Sequence, residues 1–207
     1  MTSDDARLIV PDKQLLRLDF PFVIVPKKRG RLLYFDEANV SWCPISGRVY
    51  RVIGQEYKVN TPGKNQRKYL IGSIEYPTGE GLYEIYSNKT HIQVRNHWQN
   101  LIEMYPNDYL FVVRDNAKSH TTPKLDPFLL ANKHRFCLVP MPTYSPHLNF
   151  IERLWHLMRD QINRSYFFDS FTHLCEGVVG WLSRLPFSRF RSLMGVQTYH
   201  SVNPIPP

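Results

Sequence analysis

LFVVRDNAKSH, residues 110–120, is the stretch on which the fold turns. Four apolar residues, two of them valine, run through Arg114 into Asp115, the pattern of a buried strand that delivers a carboxylate at its end. In parallel sheets the carboxyl ends of strands are where ligand sites collect, which makes Asp115 a candidate for chemistry. Taken alone, Asp115 followed by Asn116 fits an Asx turn equally well. Two further stretches change the balance. LLYFDEA, residues 32–38, runs another apolar strand into Asp36 and Glu37, and PTYSPHLNFIERLW, residues 142–155, places Glu152 in the first turn of a helix after a proline-containing loop. Each has its own bland reading. Asp36 fits a solvated turn at a sheet edge, and Glu152 fits a capping box with Asn149 as cap, although Ser or Thr is usual there. Two strand-end aspartates and a helix-borne glutamate in this order, with 36 residues between Asp115 and Glu152, are improbable as coincidence. Together they make an oxygen-donor set for a divalent cation.

Outward from these stretches, the pattern predicts strands at 32–35, 48–53, 69–74 and 82–86, close enough in sequence for antiparallel hairpins. Between the second and third lies a basic loop carrying Lys58, Lys64, Arg67 and Lys68. Thr90 is placed to cap a helix through Met104, with Val94, Trp98, Leu101 and Tyr105 at the helical period. A strand at 109–113, a short helix at 125–132 and a strand at 135–139 then form a parallel crossover. The helix opening near Asn149 carries Ile151, Leu154, Trp155, Met158 and Ile162 on one face and Glu152, His156, Arg159 and Asn163 on another. Trp155 at this period reads as core. A last helix begins near Asp169 or Ser170 and runs to Leu185, across Gly177 and Gly180.

At 207 residues the chain can bury one core and form one domain. A formal charge of +8 favours a polyanionic partner. Cys43, Cys137 and Cys175 lie far apart with no metal-knuckle spacing, so free thiols are expected. The acidic start MTSDDARLIV is unlike a signal peptide, and no apolar run approaches the roughly 20 residues of a membrane span, so a soluble cytoplasmic protein is expected.

Asp36-Glu37, then Asp115-Asn116-Ala117 with His120, then Tyr144-Ser145-Pro146, Leu148-Asn149 and Ile151-Glu152 with Trp155 resemble the signature of the DDE superfamily of transposases, in its mariner-related bacterial insertion-sequence group. The resemblance runs from about Arg31 to about Leu185. Phe150 departs from the proline usual at the first helical position, which loosens the turn without removing a ligand. Met141-Pro142-Thr143 departs mildly from the usual Leu-Pro-Pro.

The resemblance implies a ribonuclease-H-like α/β domain: a mixed sheet with antiparallel first strands and parallel later strands, flanked by helices. It implies an N-terminal remnant or linker at 1–30, a catalytic domain at 31–195 and a flexible tail at 196–207. Family members carry a helix-turn-helix region that reads the transposon ends, and only 35 residues precede Asp36 here, so the catalytic half alone is expected. Asp36, Asp115 and Glu152 would be both catalytic residues and metal ligands, holding two Mg²⁺ ions that Mn²⁺ can replace. The implied activity is cleavage of double-stranded DNA at terminal inverted repeats, then strand transfer to target DNA at a TA dinucleotide, by a homodimer associated with the nucleoid. Lys118, His120, Arg153, His156, Arg159, Lys64, Arg67 and Lys68 are the candidate DNA contacts; their alternative is a solvated surface. Two other functions stay open: a truncated, non-catalytic DNA-binding or dimerising relic, and a structure-specific nuclease of the same fold.

Overall fold

The computed structural model describes residues 29–43, 62–143, 145–163 and 167–195. The expected strand at 48–53, Lys58, Tyr144, nearly all of the N-terminal segment and the tail lie outside these residues. Five strands form one sheet in the order β3-β2-β1-β4-β5: β1 (Gly30–Ser41), β2 (Arg67–Tyr76), β3 (Gly81–Tyr86), β4 (Tyr109–Arg114) and β5 (Phe136–Pro140). β1 pairs antiparallel with β2, as does β2 with β3, whereas β1–β4 and β4–β5 are parallel. This is the mixed, ribonuclease-H-like arrangement expected from the sequence.

Strand alternation assigns the two faces. Leu33 and Phe35 of β1 join Ile71, Leu110, Val112 and Phe136 under helix α1 (His91–Met104). Tyr34, Ala38 and Val40 point the other way and pack with Leu70, Ile74, Val113 and Val139 under α4 (Phe150–Met158), α5 (Phe171–Arg184) and α6 (Phe187–Leu193). Between β4 and β5 the chain makes the short helices α2 (Lys118–Thr121) and α3 (Asp126–Asn132). Neither α2 nor α6 is visible in the periodicity, because one or two turns carry too few apolar residues to register a period. No helix among the described residues is long and apolar enough to cross a membrane, and the three cysteines are free thiols.

Local chemistry sets the helix boundaries. Thr90 caps α1 in a full capping box, with the Gln93 side chain accepting from the Thr90 N–H. Ser170 caps α5. Gly177 sits inside α5 because the Phe168 ring lies against it; a Cβ there would stand 2.7 Å from that ring.

A buried polar network ties α1 to the sheet. Ser73 Oγ is 2.8 Å from His97 Nε2, His97 Nδ1 is 2.5 Å from Glu84 Oε2, and Asn100 Nδ2 donates to Glu84 Oε1 at 2.7 Å. Burial holds His97 below its ordinary pKa. Since the carboxylate can only accept, Nδ1 carries the proton and Nε2 accepts from the serine hydroxyl. The order Ser–His–Glu is that of a hydrolase triad, but Ser73 is wholly buried and no substrate can reach it. His97→Leu is expected to cost about 1–3 kcal/mol by orphaning the Ser73 hydroxyl. Adding Ser73→Ala should recover part of that loss, as read from urea-denaturation midpoints.

Candidate active site

The parallel ladder between β1 and β4 ends at the pair Tyr34–Val113. Asp36 lies two residues beyond that pair within β1, and Asp115 is the first residue after β4. Asp36 shares the parity of Tyr34 and therefore belongs to the face covered by α4, which carries Glu152 in its first turn. The three carboxylates line one open cleft of about 220 Å³, with Asn116, Asn149 and the loop residues Met141, Pro142, Thr143 and Ser145.

Asp36 departs from the expected strand-end position. β1 continues to Ser41 along β2, in the centre of the sheet, and Asp36 is only 7% exposed. What opens beside it is the departure of β4, not the end of β1. Its carboxylate accepts from the indole Nε1 of Trp155 at 3.1 Å. Asn149 is the α4 N-cap by position but makes no side-chain cap bond; its Nδ2 donates to the Phe35 carbonyl at 3.2 Å. The capping box that competed for Glu152 is therefore not formed.

Asp115 makes the Asx turn and lines the cleft as well. Its Oδ1 accepts from the Ala117 N–H at 3.0 Å and lies 2.8 Å from His120 Nδ1. His120 Nε2 lies 2.8 Å from Glu37 Oε1. Glu37 follows Asp36 along β1 and so faces the opposite side of the sheet, where Ser119 Oγ donates to it and Lys89 Nζ approaches to 3.8 Å. These nitrogen–oxygen contacts of His120 are ion pairs rather than in-line hydrogen bonds.

The residues 31–175 match the family model described as DDE superfamily endonuclease. The chain belongs to the DDE superfamily endonucleases. Among curated proteins it is similar to the insertion element IS630 uncharacterized 39 kDa protein of Shigella sonnei, 28% identical over 148 residues, covering 71% of this chain and 43% of that protein. Among solved structures it is similar to the Mos1 mariner paired end complex with Mn (TM-score 0.64, 17% identity, 80% of this chain and 52% of that one). It is also similar to the catalytic domain of Mos1 mariner transposase (TM-score 0.58, 16% identity, 80% and 76%). The chain thus spans about half or less of the length of the longer relatives it matches.

The electrostatics of the cleft are those of crowded carboxylates. Burial, reinforced by Glu152, Glu37 and Asp115, pushes the Asp36 carboxyl up to about 8. His120 instead pulls Asp115 below the ordinary carboxylate range. Burial opposes charge on His120, but Asp115 and Glu37 outweigh it and raise the imidazole to about 9. The donor set is all oxygen, which fits a hard divalent cation better than zinc. Among the described residues no three His, Cys, Asp or Glu side chains close on a common point, so the carboxylates share the cleft without forming a finished cage.

These shifts fix a pH dependence. Folded Asp36 and His120 hold protons that the unfolded chain releases near 3.8 and 6.5, so the metal-free protein should lose stability as pH rises from about 6.5 to 9. Thermal melts in EDTA at pH 6.0, 7.5 and 9.0 check this; a flat or rising melting temperature would contradict it.

The basic candidates divide by environment. Lys64, Arg67, Lys118 and His156 are exposed, and Arg159 is half-buried. Lys68 lies over the Phe171 ring at 5.8 Å. Arg153 donates to the Leu193 carbonyl at 2.8 Å and stacks over Phe150, holding the end of α6 against α4. His120, 2% exposed with carboxylates at both ring nitrogens, is an internal group and not a surface DNA contact. Glu37 was read in the sequence only as the neighbour of Asp36, without its pairing to His120. Its signal was the dipeptide Asp-Glu inside a strand, which must send one carboxylate to each face and leave the second needing a buried partner.

Proposed function

We propose that this chain is the catalytic part of an insertion-sequence DNA transposase, cutting double-stranded DNA at the element's terminal inverted repeats and joining the freed ends to target DNA. The observation that carries this reading is that Asp36 of β1, Asp115 just after β4 and Glu152 of α4 line one cleft. In it these three residues are the catalytic carboxylates and would hold two Mg²⁺ or Mn²⁺ ions. A divalent cation bound there supplies charge stabilisation at the attacking and leaving oxygens of a phosphodiester.

The chain's own residues do the rest. His120 keeps Asp115 ionised and oriented, the indole of Trp155 and the Asn149 amide fix α4 against β1, and the open cleft admits a backbone phosphate. Water displaces the 3′-oxygen at the element's end, and the 3′-hydroxyl so released attacks a target phosphodiester at a TA step and displaces the target strand's own 3′-oxygen, with no covalent protein intermediate. Lys64, Arg67, Lys118, His156 and Arg159 follow the DNA backbone in this reading, and the reaction runs on a homodimer in the cytoplasm at the nucleoid. The net charge of +8 supports the polyanionic partner.

The test is nicking of supercoiled plasmid by the purified chain in Mn²⁺ and in Ca²⁺. Nicking in Mn²⁺ that Ca²⁺ does not support is expected. A folded protein that binds DNA and leaves it intact in both Mn²⁺ and Mg²⁺ would overturn the reading in favour of a non-catalytic DNA-binding protein.

A further inference from the structure

Helix α4 is bound to β1 on both sides of Glu152. Asn149 reaches the Phe35 carbonyl at the helix start, and Trp155, one turn beyond Glu152, reaches Oδ2 of Asp36. Trp155 is fully buried, and Tyr83 meets it edge-on with ring centroids 6.2 Å apart. Its indole lies over Gly72, the residue paired directly with Asp36 across the β1–β2 ladder. A Cβ on Gly72 would stand 2.6 Å from the indole Cη2 and 2.9 Å from Cζ2, closer than real Cβ contacts come. β2 is bare opposite Asp36, and the indole, with the Tyr83 ring 2.9 Å from the same point, occupies the space that any side chain would fill.

We infer that Trp155 is a positioning residue for Asp36, with Gly72 as the seat that lets the indole N–H reach the carboxylate. The inference rests on the reading in which Asp36 holds a divalent cation. Packing alone needs an aromatic ring at 155 but not an N–H, and a ring could pack with its N–H turned elsewhere. Here the N–H is spent on a carboxylate of the cleft. The same helix thereby sets two of the three carboxylates: Glu152 directly and Asp36 through Trp155. A hydrogen bond behind a metal-holding carboxylate fixes its rotamer, and loss of such a partner typically weakens metal affinity or activity by about 10–100-fold.

The experiment compares wild type, Trp155→Phe, Gly72→Ala and the double variant by Mn²⁺ titration calorimetry and by steady-state nicking. Trp155→Phe keeps a ring and removes the N–H. It should weaken Mn²⁺ binding and lower kcat by about 10-fold or more while leaving KM for DNA unchanged. Gly72→Ala, which retains the indole but displaces it, should move both readouts the same way and keeps the test open if the Phe variant does not fold. In the double variant phenylalanine lacks the outer indole carbons that the new Cβ would strike and only the approach to Tyr83 Cδ1 remains, so the two losses should be less than additive. Wild-type Mn²⁺ affinity and kcat in both single variants would overturn the inference while leaving the cation site standing. A wild-type protein that binds no Mn²⁺ would overturn the site itself, and the inference with it.

Discussion

Asp36→Asn is expected to abolish divalent-dependent nicking and, at the same time, to raise the melting temperature of the metal-free protein at pH 8. The two effects have one origin. Asp36 is buried beside Glu152 and Asp115, and its raised carboxyl pKa records how unfavourable its charge is without a cation. Asparagine keeps the shape and an acceptor for the Trp155 N–H but removes the charge. Losing a cation ligand should cost at least about 10³-fold in rate, since a bound divalent cation contributes several kcal/mol and each 1.36 kcal/mol is tenfold. In a domain of this size each kcal/mol of relieved repulsion should raise the melting temperature by about 2–4 °C. Asp115→Asn should be equally inactive with the opposite effect on stability. The Asp115 carboxyl is held low by His120, so its charge stabilises the fold above the ordinary carboxylate range, and the amide forfeits that. Opposite shifts in melting temperature with a shared loss of nicking would separate the two aspartates. Shifts of the same sign would contradict the electrostatics described for the cleft.

His120→Ala should carry the largest loss of stability among these substitutions, about 3–5 kcal/mol, because it strands a buried carboxylate. Glu37 has a side chain only 3% exposed, and without the imidazole it keeps the Ser119 hydroxyl at 3.3 Å and the half-exposed Lys89 ammonium at 3.8 Å. Adding Glu37→Gln should recover a substantial part of the loss, since a buried amide costs far less than an unpaired carboxylate. Urea-denaturation midpoints of the four proteins in this cycle give the coupling energy directly. Single variants that are each as stable as wild type would show that Glu37 and His120 are solvated in solution. Nicking by His120→Ala should fall with the freedom it gives Asp115, even under conditions where the protein is fully folded.

The part of this fold and site that could be read from the chain is the part set by local chemistry. The strands at 69–74, 82–86 and 109–113 announced themselves through apolar runs, and each proved to be the core of a slightly longer element. Thr90 marked a helix start because a hydroxyl at an N-cap answers amide groups a few residues away, and the start of α5, read as Asp169 or Ser170, is capped by Ser170. The three carboxylate-bearing stretches were legible by the same logic, together with their order along the chain.

What the chain order leaves open is who faces whom. Asp36 reads as a turn residue because nothing nearby reveals that β2 prolongs the strand while β4 abandons it; that is decided by pairing with residues 67–76 and 109–114. Asn149 reads as a cap, yet its amide bonds to a carbonyl 114 positions away in sequence. Trp155 reads as core, and its burial is real, but its N–H meets a carboxylate only because Gly72 lies bare across the ladder from Asp36. Residue type, period and capping follow from forces that act over a few neighbouring residues, so the chain alone was enough to place the longer strands and helices and to nominate the three carboxylates. The pairing of Asp36 with Trp155 and of Glu37 with His120 joins residues 119 and 83 positions apart, and follows from the fold of the whole sheet and its helices.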